Sequence, residues 1–184
     1  MVIAVDMDGV LVALNRRHIE RLNERNGTSY KYEDITAFDY RKAGFTQSES
    51  DQLWDMWNEP DLYDNVIPEH GAIWGLGTLR DRHRVIAASS PLIGSIESKA
   101  RWLRDVAGFA ASDVMLGRDK SLLRADLLLD DGVHNLESFP GLTLCFTRPW
   151  NSEWTGPRAY NWWSVPPWVE TLLDERARAT AGAL

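Results

Sequence analysis

The chain has 184 residues, and its 27 acidic against 20 basic side chains leave a formal charge of −7. A length of this order carries one domain with a substantial core, and 44% hydrophobic with 26% charged residues excludes disorder as the dominant state. No apolar run approaches the roughly 20 residues of a membrane helix, the N-terminal stretch has no basic leader region, and the acidic balance advertises no track for a nucleic-acid backbone. The single cysteine, Cys145, cannot form an internal disulfide. The expectation is a reducing, cytoplasmic setting with neither a membrane nor a nucleic-acid polymer as partner. A homodimer is left open.

Val2 to Val5 is a short apolar run ending at Asp6 and reads as a buried parallel strand. Leu11, Leu14, His18 and Leu22 recur at helical spacing and predict a helix to about Asn26, stopped by Asn26-Gly27. Beyond it the texture changes: Tyr, Trp, Asp and Glu replace Val and Leu, and no buried strand appears before Pro68. Ser48 to Trp57 reads as a helix with Ser48 at its N-cap and Asp51 three residues on. Residues 15–67 are therefore expected to form an inserted helical subdomain in a core of residues 1–14 and 68–184.

After Pro68 the alternating pattern resumes. Ile73, Leu76 and Leu79 form a helical stripe, Val85 to Ala88 a strand ending in Ser89-Ser90-Pro91, and Ile96, Ala100, Leu103 and Ala107 the next helix. Val114 to Leu116, Leu127 to Leu129 and Leu142 to Phe146 read as further strands. Pro166 to Arg178 reads as a closing helix with Pro-Pro in its first turn, and residues 179–184 are expected to fray. Strands alternating with helices predict an α/β fold with a five-stranded parallel sheet covered on both faces.

Three of the strand ends deliver polar groups to one edge, the edge where open α/β sheets bind ligands: Asp6, Ser89, and the pair Asp130-Asp131. Asp6 and Asp8, two apart in extended backbone, point the same way and repel unless a cation lies between them or one is protonated. Mg²⁺ suits such hard oxygen donors, and Gly9 permits a tight turn and a close approach of backbone to an anion. A carboxylate nucleophile, a bridging metal, a hydroxyl, a lysine and a second acid together make a set suited to phosphoryl transfer.

Asp6-Met7-Asp8-Gly9-Val10 resembles the first motif of the haloacid dehalogenase superfamily of phosphatases, Ser89 the second, Lys120 the third and Asp130-Asp131 the fourth. Arg118-Asp119-Lys120-Ser121, Ala125 to Asp131, Asn135-Leu136, Phe139, Gly141 and Pro149-Trp150-Asn151 are similar to the 5′(3′)-deoxyribonucleotidase branch. The resemblance implies a Rossmann-like sheet with a helical cap inserted after the first strand, and a Mg²⁺-dependent phosphomonoesterase acting through an aspartyl-phosphate. It implies Asp6 as nucleophile and metal ligand, and Asp8 as general acid/base that also gives its carbonyl to the metal. Gly9, Ser89, Ser90 and Lys120 would bind phosphate, and Asp131 would be a direct metal ligand with Asp130 supporting it beside Lys120. Which of these two adjacent acids touches the metal stays open. The substrate implied is a small phosphate monoester, a nucleoside 5′-monophosphate with deoxyribonucleotides foremost. Phe38, Tyr40, Trp54 and Trp57 are the cap candidates for reading the base, and Leu14 stands where this branch carries an aromatic, eight residues after the nucleophile. The alternatives are a phosphatase for a sugar phosphate or a polynucleotide phosphate end, and a non-catalytic binding module. The last expects Asp6 or Asp8 to be replaced, and both are present.

The nine tryptophans divide by position. Trp74 and Trp102 are expected in the core. Trp162, Trp163 and Trp168 are expected to pin the last helix. Trp54 and Trp57, three apart on one helix face, suit either the core of the insertion or a substrate contact, and Trp150 and Trp154 fall on a loop near the site rim. The four histidines have no ligand spacing and are expected at the surface or at helix caps, His134 being near enough to the acid pair to approach the phosphate site. Cys145, inside an apolar strand, is expected to be inert core.

Overall fold

The computed structural model describes residues 1–181. Uncharged Val, Ile, Leu and Ala runs form the central strands. β1 (Val2–Val5), β2 (Arg84–Ser89), β3 (Val114–Leu116), β4 (Leu127–Asp130), β5 (Leu142–Phe146) and β6 (Arg158–Ala159) pair in parallel in the order β3-β2-β1-β4-β5-β6. The sheet therefore has six strands, not the five expected. β6 is only two residues long and follows a Trp-Thr-Gly-Pro loop, so no apolar run announces it, yet it continues the sheet through Cys145↔Arg158 and Phe146↔Ala159. The helices are α1 (Leu14–Asn26), α2 (Gln47–Trp57), α3 (Ala72–Arg80), α4 (Ile96–Asp105), α5 (Val133–Ser138) and α6 (Val165–Ala181). The segment expected to fray is helical to Ala181; residues 182–184 lie outside the described residues.

Alternation along each strand sorts the side chains to two faces. Ile3, Val5, Leu127, Leu129, Leu144 and Phe146 pack against Leu76 and Leu79 of α3, Trp102 and Leu103 of α4, and Val169, Leu172 and Leu173 of α6. Ala4, Ala88, Ile86, Leu128 and Cys145 form the other face under Leu136 and Phe139. A third apolar cluster lies apart from the sheet, where Ile19 and Leu22 of α1 meet Tyr32, Ile35, Tyr40, Phe45 and Leu53 of α2. The N-cap of α2 is Thr46, not Ser48: the Thr46 hydroxyl accepts from the Glu49 N–H, and the Glu49 carboxylate accepts from the Thr46 N–H. Both Thr-x-x-Glu and Ser-x-x-Asp fit the capping pattern, and the earlier pair is the one formed.

Several aromatic assignments change. Trp102 and Trp162 are buried, the latter donating its indole N–H to the Val10 carbonyl at 2.9 Å. Trp74, with its neighbour Ile73, is exposed instead of core, and Trp163 and Trp168 are also exposed. Trp74 and Trp163 pack on each other at the surface with centroids 4.4 Å apart and ring planes tilted by 40°, so each shields part of the other without entering the core. On α4 the inward face is Ser95, Ser98, Lys99, Trp102 and Leu103, and Ala100 is exposed. His18, expected at the surface, is fully buried on α1 against the edge of Trp57, with neither ring nitrogen hydrogen-bonded.

Burial, and then the nearby Arg21 guanidinium, push the His18 imidazole down from 6.5 to about 4. The folded state therefore keeps His18 neutral where the unfolded chain protonates it. This contribution is intact above the unfolded value of 6.5 and is lost as pH falls toward the folded value. Across pH 7 to 5 the loss attributable to His18 is about 2 kcal/mol. His18→Phe retains the edge-on packing and should abolish that part of the pH dependence. Urea unfolding of both proteins at pH 7 and pH 5 measures it, and equal losses in the two would refute it.

Candidate active site

The parallel register builds the site. Val5 is level with Ala87 of β2 and Leu129 of β4, so Asp6 leaves the sheet beside Asp130, with its N–H on the Leu129 carbonyl at 2.9 Å. Ser89 ends β2 on the other side of β1. The chain then turns sharply: the N–H groups of Val10, Leu11 and Val12 all converge on the Met7 carbonyl. Gly9 makes the turn at φ +77°, and a Cβ there would lie 2.2 Å from Asp131 Oδ2. Buried Arg148 donates through Nε to the Gly9 carbonyl and pairs with Glu69 at 3.1 Å.

The floor is crowded with charge. Asp6, Asp130 and Asp131 are all buried and each offers a carboxylate oxygen within 4.8 Å of the others. Burial, with Asp130 and Asp8 adding to it and Lys120 opposing, raises the Asp6 carboxyl from 3.8 to about 6. Burial, then the charges of Asp130 and Asp6, hold Asp131 well above the carboxylate range. Lys120 is buried 2.8 Å from Asp6 Oδ1 and hydrogen-bonded to Asp130 Oδ2. Burial alone would push its ammonium down, but the two carboxylates more than reverse that and hold it above its ordinary value. Asp130 is saturated, since its oxygens also accept from the Gly132 N–H at 2.7 Å and from the Asn135 amide.

Asp8 has its own partners, which the sequence reading missed. Lys99 Nζ donates to Asp8 Oδ2 at 2.6 Å, to Ser89 Oγ at 3.0 Å and to the Ser90 carbonyl at 2.8 Å. The Tyr63 hydroxyl donates to Asp8 Oδ1 at 2.7 Å. Lys99 was masked, because the apolar residues around it also read with Ala100 on the inward face. Tyr63 left no signal, because its contact spans 55 residues.

Four acidic side chains (Asp6, Asp8, Asp130, Asp131) thus face two ammonium groups (Lys120, Lys99) at the β1/β4 edge. A divalent cation with oxygen preference fits that donor set, and with Asp130 saturated, Asp6 and Asp131 are the carboxylates free to hold it.

A cleft of about 420 Å³ opens above this floor. Asp6, Asp8, Gly9, Ser90 and Asp131 line its base; Ser89 and Lys120 lie behind it. Phe38, Tyr40, Trp54 and Trp57 line the opposite wall, so all four aromatic candidates reach the cleft. Leu14 does not: it is buried in the main core, and the adjacent Asn15 lines the cleft in its place. His134 also lines it, edge-on to Phe38 at 5.1 Å.

A family described as 5′ nucleotidase, deoxy (pyrimidine), cytosolic type C protein matches residues 1–177. The chain belongs to this 5′-nucleotidase family. It is accordingly a phosphomonoesterase, and its fold is that of haloacid dehalogenase-like proteins. The 5′(3′)-deoxyribonucleotidase of Bacillus subtilis is 31% identical over 165 residues, covering 88% of this chain and 94% of the relative. Among solved structures, a haloacid dehalogenase-like protein of unknown function from Agrobacterium tumefaciens superposes with a TM-score of 0.63 at 15% identity, covering 94% of this chain and 98% of that one. A haloacid dehalogenase hydrolase from Bacillus subtilis, determined with bound magnesium, gives 0.55 at 12% identity over 89% and 96% of the two chains. No helix among the described residues is long and apolar enough to cross a membrane.

Gly9→Ala in this enzyme would combine a left-handed residue bearing a side chain with a collision against Asp131, and should cost at least about 2 kcal/mol. Urea unfolding would measure it; a loss below half that value would mean that Asp131 can simply turn aside.

Proposed function

We propose that residues 15–67 are a cap over a phosphatase core of residues 1–14 and 68–184, and that the cleft between them hydrolyses nucleoside 5′-monophosphates, deoxyribonucleotides foremost. The observation that carries this reading is the composition of one cleft: an acidic floor that includes Lys99 and has buried Lys120 behind it, and a wall of Phe38, Tyr40, Trp54 and Trp57. A phosphate and an aromatic base are the two ends of a nucleotide. The relatives named as 5′(3′)-deoxyribonucleotidases support the same substrate class.

Asp6 attacks phosphorus, and the ester oxygen leaves with a proton from Asp8, which enters this step in its acid form and is returned to it by the next. Asp8, now a carboxylate, takes a proton from water. That water attacks the phosphorus of the aspartyl-phosphate, breaks its bond to Asp6, and releases inorganic phosphate. Lys120 holds the Asp6 carboxylate and balances charge on the transferring group; the Ser89 hydroxyl, accepting from Lys99, has its own proton to give to a phosphate oxygen. Asp6, Asp131 and the Asp8 carbonyl would hold Mg²⁺, which would supply positive charge against the repulsion between nucleophile and phosphate. Lys99 and Tyr63 fix the Asp8 carboxylate from two sides, which orients it for the proton transfers.

The polar atoms of Tyr40 and Trp57 in the aromatic wall are tied up in one hydrogen-bonded chain. Trp57 Nε1 donates to the Tyr40 hydroxyl at 2.7 Å, which donates to Asn15 Oδ1 at 2.8 Å. Such a wall reads a base chiefly by stacking and shape, which tolerates several bases.

The test is phosphate release from ribo- and deoxyribonucleoside 5′- and 3′-monophosphates and several sugar phosphates, each with Mg²⁺ and with a chelator. The expected outcome is chelator-sensitive release from 5′-nucleotides, fastest for the deoxy series. Release from sugar phosphates alone would keep the chemistry and discard the nucleotide. Asp6→Asn should lower kcat by about four orders of magnitude or more with an unchanged circular dichroism spectrum; activity within tenfold of the original would overturn the covalent route.

A further inference from the structure

Asp131 is held twice by a single short loop. In the 3₁₀ turn Pro149–Asn151, the Trp150 indole N–H donates to Asp131 Oδ2 at 2.8 Å, and the Asn151 amide donates to the Asp131 carbonyl at 2.9 Å. The loop is itself fixed. Asn151 also donates to the Phe146 carbonyl at the end of β5. Arg158, on the sixth strand, donates to Asn151 Oδ1 at 2.9 Å, to the Asn151 carbonyl at 2.8 Å and to the Trp154 carbonyl at 2.7 Å. The Trp150 ring faces the other way as well. It packs against the α1–α2 cluster and meets Tyr32 edge-on, with centroids 5.9 Å apart.

We infer that Trp150 is a positioning residue that aims the Asp131 carboxylate at a divalent cation and ties that ligand to the α1–α2 layer through Tyr32. An indole N–H on Oδ2 takes one oxygen of Asp131 out of competition and fixes the plane of the carboxylate, leaving the second oxygen to serve as a single, oriented ligand. Hydrogen bonds of this kind behind a metal ligand change affinity by about 10- to 100-fold when removed. Indole is suited to the position because it donates and cannot accept, so it cannot itself compete for the cation. The ring also gives the layer carrying the aromatic wall a direct contact with a residue that touches the metal ligand. Cation binding and the seating of that layer are thereby coupled, and the coupling is reciprocal.

This inference rests on the proposed use of Mg²⁺ at Asp6 and Asp131. The experiment is a calorimetric Mg²⁺ titration of the full chain without substrate, on the original protein, Trp150→Phe and Tyr32→Leu, with a thermal melt of each in chelator. Trp150→Phe keeps the ring against Tyr32 and deletes only the donor, so it should weaken Mg²⁺ binding at least tenfold while moving the chelated melting point little. Tyr32→Leu keeps the donor and removes the ring contact, and should weaken binding severalfold. Trp150→Phe binding within twofold of the original would overturn the positioning role. Tyr32→Leu binding unchanged would overturn the tie to the α1–α2 layer. Should Trp150→Phe fail to fold, the Tyr32→Leu arm still decides whether the loop and that layer act together. Absence of Mg²⁺ binding by the original protein would overturn the metal reading of the site, and this inference with it, an outcome distinct from equal binding by all three.

Discussion

Everything at the carboxyl edge of the sheet is organised by one electrostatic problem. The register of β1 against β4 brings Asp6 and Asp130 side by side, with Asp131 next along and Asp8 two residues beyond the nucleophile position. Like charges at such separations in a buried setting cannot all ionise without compensation. Lys120 and Lys99 supply part of it and leave a remainder of like-charge repulsion; burial first, and that repulsion after it, raise Asp6 and Asp131. That remainder is what the proposed divalent cation would absorb. Gly9, Arg148, Asn135 and Asn151 are best understood as the means of holding these carboxylates at close quarters: each packs against or hydrogen-bonds a residue of the charged floor or its turn.

The two lysines divide the floor between them. Lys120 comes from a loop below the sheet edge and serves Asp6 and Asp130. Lys99 comes from α4 on the opposite side of β1 and serves Asp8 and the backbone after Ser89. Asp6 and Asp8 are close in sequence but held by different cations from different elements. Two carboxylates in separate electrostatic settings can take separate parts in one reaction, one staying ionised to attack while the other exchanges protons. A single shared lysine would bind the two together and make that separation harder to maintain.

The residues legible in the sequence were those whose position follows from local pattern. Asp6, Ser89 and Asp130 each end an apolar run, and parallel strands with helical crossovers bring such ends to one edge whatever lies between. Asp131 came with Asp130 as the acid pair at its strand end, and Lys120 through the family resemblance. Lys99 was hidden because charge on a helix normally signals a solvated face, and the apolar residues around it also permitted a register with Ala100 inward. Tyr63 and Arg148 act across 55 and 139 residues, and no local period encodes such contacts. β6 was too short to show a period at all, yet its Arg158 fixes the loop that carries Trp150. The tryptophans teach a related lesson. Residue type suggested core for Trp74 and a pinning role for Trp163, but two indoles packed on each other can remain at the surface.

The aromatic wall and the charged floor are not independently placed. Tyr63, on the segment following α2, donates to Asp8; Trp150 touches both Asp131 and Tyr32; Phe38 meets His134 beside the acid pair. Below α2, the Ser95 hydroxyl donates to the Trp57 carbonyl at 3.0 Å, and Gly94 donates its N–H to Asn58 Oδ1 at 2.9 Å. That last approach is so close that a Cβ on Gly94 would lie 2.0 Å from the Asn58 carbonyl oxygen. The helix bearing Trp54 and Trp57 is thus anchored to the start of α4, and α4 carries the lysine that holds Asp8. A ligand with a stacking end and a phosphate end would find the distance between its two sites set by these shared contacts. Substitutions in the wall should therefore be felt at the floor, because the same backbone segments support both.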